Sequence, residues 1–310
     1  MKAKFTGHDT FPLRYGWLYK AVNYLNSNNK LVTSNEPSTR KAIVELGVGK
    51  NMVNAIRYWA DSSSIIASDG EAVSLDGLYL FGNSETEGKD PYLEQLGSVW
   101  LLHFWLNFNY EHLTAYRYFY NFSNVQHFHK TKLLDDCSED AKGLITGSIS
   151  NESTIKKDID CFLNTYCRKK RLTKSNTAIN EDHFSSPLSE LHLLQDNGGG
   201  YYVSNLAARP DLPIEIFIYG LIRFVQKETA ESNINSIGFE ALLTKPCSPG
   251  RIFRLSESGL GQKLDEAQEF SGGNIAWIDT AGLRQVRLEQ TTLDNPRDYL
   301  DTFYKGSSHA

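Results

Sequence analysis

The stretch that most limits how this chain can fold is PYLEQLGSVWLLHFWLNFNYEHLTAYRYFYNF, residues 91–122. Read as helix, its apolar and aromatic side chains surround the axis on most sides instead of forming one stripe. That pattern marks an element buried all round. No apolar run in the chain approaches the length that spans a bilayer, so the stretch reads as the centre of a folded core. Trp100 and Trp105 are accordingly expected inside it rather than as exposed stacking platforms. With 310 residues, 40% hydrophobic and 22% charged, the chain has material for two or three small domains with cores of their own.

Patterned segments flank this centre on both sides. After Pro12 and Gly16, the residues Leu18, Ala21, Val22 and Leu25 recur at helical spacing. STRKAIVELG (38–47) predicts a short helix, residues 51–61 predict a second, and AVSLDGLYLFG (72–82) reads as strands with a turn. Residues 128–144 and 150–168 predict another helix pair. In the second of these, Ile155, Ile159, Phe162, Leu163 and Tyr166 keep one apolar face, and Ser150 or Asn151 stands where a cap belongs. LLQDNGGGYYVS (193–204) reads as a hairpin. In the last third, PIEIFIYGLIRFV predicts a helix opened by Pro213. IGFEALLT and SESGLGQKLDEAQEF predict two more, and NIAWIDTAGLRQVRL (274–288) a hairpin.

Helix, helix, hairpin thus recurs about three times. The expected fold class is α+β and mostly helical, with tandem winged-helix-like (helix-turn-helix) units around an aromatic helical core. The expected domains are 1–82, basic and helix-turn-helix or winged-helix-like; 83–210, central and helical with a second such unit; and 211–310, a third winged-helix-like domain.

Net charge is −5 but unevenly spread: +6 over residues 1–60, −8 over 61–150, +1 over 151–210 and −4 over 211–310. A basic N-terminal module on an acidic body can turn one face toward phosphates. Chance clustering of lysines and arginines would give the same numbers. The four cysteines form no CxxC and read as scattered reduced thiols. MKAKFTGHDTF lacks an apolar signal core. The expectation is a cytoplasmic protein without a membrane partner.

In ELGVGKNMVNAIRYWA (45–60), a glycine-punctuated break joins two helical stretches. On a helix at about 100° per residue, Met52, Val53, Ile56, Trp59 and Ala60 fall in one arc. Lys50, Asn51, Asn54, Arg57 and Tyr58 fall on the other side, with Asp61 among them. The inner arc would hold the helix to its domain. The outer one offers cations to phosphates and amides to adenine edges, aided by the helix dipole in the first turn. A solvated polar face, or a protein-interaction module, fits the same pattern. A second basic site, Lys156, Lys157, Arg168, Lys169, Lys170 and Arg171, would lie along a phosphate backbone or simply end a solvated helix.

Chemistry-bearing motifs are sparse. GHDTFPLR puts His8 and Asp9 near Arg14, and a His–Asp pair can order a water or bind a divalent ion. Adjacent residues converge on one point only in a turn, and a structural hydrogen-bonding corner is the other reading. Asp140–Lys142 has the D-x-K spacing of many metal-dependent nucleases but falls in a helical pattern. His127 and His129 suit a strand metal site that no nearby acid or cysteine completes. No Walker phosphate loop, dinucleotide fingerprint, GxSxG or HExxH occurs, so no nucleotide cofactor is expected.

Five stretches together, FTGHDTFPLRYGWLYK, AIVELGVGKNMVNAIRYWA, DPYLEQLGSVWLLHFWL, TIKKDIDCFLNTY and SPLSELHLL, span about residues 5–194. They resemble the family named domain of unknown function 4007. Gly7, His8, Asp9, Arg14, Gly47, Gly49, Lys50 and Asn51 are its signature positions here. Members of that family occur beside cysteine desulfurases, ATPases and sulfate-reductase-like sulfurtransferases in bacterial anti-phage clusters that place sulfur in the DNA backbone. The member from single-strand (Ssp-type) phosphorothioation systems is a DNA-nicking endonuclease.

The resemblance implies a DNA-binding component of such a system, with metal-dependent nicking, served by Mg²⁺ or Mn²⁺, as one activity. Lys50, Asn51, Asn54, Arg57 and Arg14 would then meet DNA, and His8 and Asp9 are the candidates for chemistry. A non-catalytic DNA-binding regulator and a scaffold docking an ATPase and a sulfurtransferase are the alternatives.

Overall fold

The computed structural model describes residues 1–27, 29–32, 36–108, 111–168, 186–231, 235–280 and 282–307. The chain divides into two units, Met1–Tyr118 with Val125–Ser204, and Phe119–Asn124 with Asn205–Ala310. The protein is α+β and mostly helical, with three small sheets among the described residues.

The first unit opens with β1 (Lys2–Ala3), then α1 (Trp17–Asn26), α2 (Glu36–Leu46) and α3 (Lys50–Ser62), which pack on one another. Gly47 ends α2 in the left-handed region at φ 65, and the N–H groups of Gly47 and Val48 both donate to the Ile43 carbonyl. That closure is the usual role of a glycine just past a helix end. The chain then turns through Gly49 directly into α3.

Residues 72–82 correct the strand expectation: Leu75–Phe81 is a helix, α4. Ser74 caps it, accepting the Gly77 N–H at 2.9 Å, and Asp76 sits in the first turn. Buried positions 77, 80 and 81 follow helical spacing. Cap chemistry outweighed a short apolar alternation that suits either conformation.

α5 (Leu96–Asn107) is buried at every position from Gly97 onward, Trp100 and Trp105 included. Its polar members find partners inside. His103 Nδ1 lies 2.8 Å from the Tyr166 hydroxyl, and Asn107 Nδ2 donates to the His103 carbonyl at 2.9 Å. β2 (His112–Leu113) pairs in parallel with β1.

Next come α6 (Ala115–Asn121), β3 (His127–His129), α7 (Lys130–Leu144), α8 (Glu152–Tyr166), a short 3₁₀ turn at Pro187–Leu191, β4 (Gln195–Gly198) and β5 (Tyr201–Val203). Asn151 caps α8, accepting the Thr154 N–H at 2.9 Å. The three strands form an antiparallel sheet in the order β3-β5-β4.

The second unit contains α9 (Ile214–Thr229), β6 (Ser236–Gly238), α10 (Phe239–Thr244), α11 (Pro249–Ile252), α12 (Glu257–Phe270), β7 (Ile275–Thr280), β8 (Leu283–Leu288), α13 (Gln290–Asp294) and α14 (Arg297–Ser307). α9 carries its apolar stripe into the core, with Phe217, Ile218, Leu221, Ile222 and Val225 all buried. The sheet order is β6-β8-β7.

Leaving aside the 3₁₀ turn before β4 and the short α11 between α10 and α12, one order occurs twice, α6-β3-α7-α8-β4-β5 and α9-β6-α10-α12-β7-β8, with the same strand arrangement. The hairpins expected at 193–204 and 274–288 and the helix pairs before them are where the sequence places them, and the one expected at 72–82 is not formed. β3 and β6 are three residues each, too short to show alternation. No helix among the described residues is long and apolar enough to cross a membrane.

Candidate nucleic-acid interface

α3 begins without a side-chain cap. Gly49 occupies the cap position in extended backbone, no acidic residue lies in the first turn, and Lys50 and Asn51 are exposed there. Val53, Ile56, Trp59 and Ala60 face inward and are buried, while Met52, Asn54 and Arg57 are half-buried. Tyr58, placed by periodicity on the outer arc, is buried instead. Its hydroxyl meets that of Tyr116 at 3.3 Å, and burial pushes it well above the usual phenol range. The other outer residues are partly engaged. Asn54 Nδ2 donates to Asp9 Oδ2 at 2.9 Å, and Arg57 Nη2 donates to the Ser68 carbonyl at 3.1 Å.

Behind this face lies a cleft of about 310 Å³, bounded in part by Lys4, Thr6, Asp9, Asn54, Arg57 and Asp61. Lys4 and Asp61 pair across it at 2.7 Å. Asp9 reaches it from a tight turn in which the Phe11 N–H donates to the His8 carbonyl at 2.8 Å. Gly7 takes φ 115, where a Cβ would stand 2.8 Å from the Tyr58 ring, so only glycine fits. Asp9 and Thr10 are both left-handed, at φ 45 and 64. That conformation is strained for a β-branched threonine and persists only where the surroundings enforce it.

The surroundings are explicit. The turn sends His8 inward and Asp9 outward, so the two do not converge on one point. Buried His8 accepts the Thr10 N–H on Nδ1 at 3.0 Å and stands edge-on to Tyr58. Its Nε2 lies 2.8 Å from Asp158 Oδ1 on α8, close enough to pair although the N–H is not directed along a hydrogen bond. The other Asp158 oxygen accepts the Ala115 N–H at the start of α6, at 2.6 Å. The Phe11 carbonyl receives both Trp59 Nε1 from α3, at 3.0 Å, and Cys161 Sγ from α8, at 3.3 Å. GHDTF is thus a buckle between α3 and α8.

The remaining expected residues lie elsewhere. Arg14 stacks its guanidinium over Phe11 and Trp17. Lys156, Lys157 and Arg168 are exposed on or just past α8; Lys169, Lys170 and Arg171 lie outside the described residues. Asp140 is helical and accepts the Tyr118 hydroxyl at 2.6 Å, and Lys142 pairs with Glu139. His129 caps α7, and Gly200 packs so close that a Cβ would meet its ring at 2.6 Å. Burial pushes the Cys161 thiol up and the Cys167 thiol up to about 12, away from nucleophilic use.

Among the described residues no group of three His, Cys, Asp or Glu side chains converges on one point. The cleft holds two carboxylates, Asp9 and Asp61, together with two cations, Lys4, which pairs with Asp61, and Arg57. Two carboxylates suit a hydrated Mg²⁺, which keeps several waters and takes one or two carboxylates, once Asp61 exchanges Lys4 for the ion. No motif in the sequence points to Lys4 or to Asp158. Nothing local marks Asp158 as the partner of a histidine 150 positions away.

Fold and site together define an α+β protein with a cationic, uncapped helix start and, along the same helix, a cleft lined by two carboxylates and two cations. The chain belongs to the family described as "Protein of unknown function (DUF4007)", whose model matches residues 5–304. It is similar to two solved structures, described as "SspB crystal structure" and "Magnesium ion-bound SspB crystal structure". Each matches at TM-score 0.77 with 28% identity, covering 96% of this chain and 87% of that one. No curated protein matches it.

Proposed function

We propose that this chain is a DNA-binding component of a bacterial DNA phosphorothioation and phage-defence system, and that it nicks DNA with a divalent cation held at Asp9 and Asp61. The observation that carries the reading is the uncapped start of α3, with Lys50 and Asn51 open to solvent, on the same helix whose later turns, at Asn54, Arg57 and Asp61, line the cleft with Asp9. Likeness to SspB, once with magnesium bound, supports it. The repeated modules are read as winged helices. In the first, α8 would add Lys156, Lys157 and Arg168 to the backbone contacts, and Lys169, Lys170 and Arg171 continue the basic run.

In this reading Lys50 and Arg57 hold phosphates and Asn51 and Asn54 face base edges. Arg14 stands nearby. His8 acts as a positioning residue, fixing the strained turn that projects Asp9. Bound Mg²⁺ or Mn²⁺ would supply charge stabilisation at the scissile phosphate and an acidified water. The second unit, whose residues 211–310 carry net charge −4, is the part suited to docking partner proteins: an ATPase, a sulfate-reductase-like sulfurtransferase or a cysteine desulfurase.

The test uses supercoiled plasmid, Mg²⁺ or Mn²⁺, and the isolated chain. Open-circle product is expected. Asp9→Asn should abolish it while leaving duplex affinity in place, and Lys50→Glu should weaken that affinity roughly tenfold at low salt. Nicking by Asp9→Asn at the unmodified rate removes the cleft from the chemistry. Duplex binding with no nicking under either metal favours a non-catalytic regulator. No DNA affinity, together with a stable complex with the ATPase or sulfurtransferase, favours a scaffold.

A further inference from the structure

A second cleft opens on the other side of the start of α3. It has a volume of about 540 Å³ and is bounded in part by Arg14, Tyr15, Ile43, Val48, Gly49 and Met52. The turn before α1, with Arg14 and Tyr15, meets the break between α2 and α3, with Gly47, Val48 and Gly49, here. Tyr15 is 41% exposed. Arg14 is held over the Phe11 and Trp17 rings, which fixes its guanidinium beside the opening. Lys20 also borders the cleft but spends its ammonium on the Leu46 carbonyl, at 2.9 Å, at the end of α2.

Gly49 adds an independent observation. Its φ is −70 and its ψ is 162, ordinary extended backbone open to any residue. A Cβ built on it meets nothing within 4 Å. Folding therefore makes no demand for glycine at this position. Ser, Asn or Asp there would accept a first-turn N–H and stabilise α3 by up to a few tenths of a kcal/mol over glycine. The glycine leaves those N–H groups uncovered at the mouth of an aromatic and apolar cleft beside a fixed cation. Bare backbone at a helix start suits close approach of a phosphate, and the adjoining lining of Tyr15, Ile43, Val48 and Met52 suits a flat aromatic ring.

We propose that this cleft takes one unpaired nucleotide of a DNA strand, its phosphate against the α3 N–H groups and Arg14, its base against Tyr15 and Met52. This rests on the DNA-binding reading above and names the form of DNA it prefers. A base outside the stack is the form that offers an aromatic face and a phosphate together.

The experiment measures anisotropy of the full chain with three labelled duplexes: fully paired, with one bulged thymidine, and with a bulged abasic nucleotide at the same place. The abasic arm holds the bend constant and removes the base. The unmodified chain should bind the thymidine bulge about tenfold more tightly than the abasic one. Tyr15→Ala should erase that difference and leave affinity for the paired duplex intact. Gly49→Ser should raise the melting temperature and still weaken binding of both bulged duplexes, whose phosphate its hydroxyl displaces from the α3 N–H groups, which separates a ligand effect from a folding defect. Equal affinity of the unmodified chain for both bulges, or a preference that survives in Tyr15→Ala, overturns the inference while the DNA-binding reading stands. Failure to bind any of the three duplexes overturns both.

Discussion

His8 and Asp9 are neighbours in sequence with opposite fates, and their energetics should differ accordingly. His8 is buried and sits 2.8 Å from Asp158, itself buried. Removing it leaves a buried carboxylate without its partner and opens a cavity against Tyr58. His8→Ala should cost roughly 2–5 kcal/mol in urea unfolding. Asp9 is exposed, its Oδ2 bonded by Asn54, and Asp9→Ala should stay within about 1 kcal/mol. Equal, small losses would mean that the turn is not the buckle described.

His112, in β2, tests pH at the same scale. Its pKa is lowered by burial first, then by Lys4 and Arg117. The unfolded chain therefore binds a proton there more readily than the folded one. The stability it contributes is present above the unfolded value of about 6.5 and is lost as pH falls through the lower folded value. Unfolding followed from pH 8 to pH 5 should show that fall, and His112→Gln should flatten it.

At the scale of elements, α8 carries two separable properties. Its inner face anchors the turn through Asp158 and Cys161; its outer face exposes Lys156 and Lys157. Reversing both lysines should leave unfolding by urea within about 1 kcal/mol. If α8 meets DNA phosphates together with α3, the slope of log K against log salt should shrink by about 0.9 for each phosphate that the reversed side chains no longer neutralise. An unchanged slope would restrict the interface to α3. Caps also explain which elements the sequence announced. Asn151 and the helical stripe of α8 are visible in one glance along the chain, as is the hairpin of β7 and β8. α4 differs from the strand its sequence suggests because seven residues of mixed apolar pattern suit either conformation, and Ser74 and Asp76 decide it. Tyr58 is buried against its helical direction because periodicity gives a direction around the helix but not how far neighbouring elements wrap it.

Across the whole molecule, local chemistry set the all-round burial of α5, the glycine break between α2 and α3, the helix pairs, both hairpins and the α+β class. Each is encoded within a few consecutive residues by apolar period, cap or turn type, so each can be read without coordinates. Tertiary structure alone decided that His8 turns inward to Asp158 while Asp9 turns outward toward Asn54, and that Lys4 and Asp61 close one cleft. It also brought Arg14, Tyr15 and Gly49 around another. These groups are separated by tens to more than a hundred positions, and no periodicity links residues that only packing brings together.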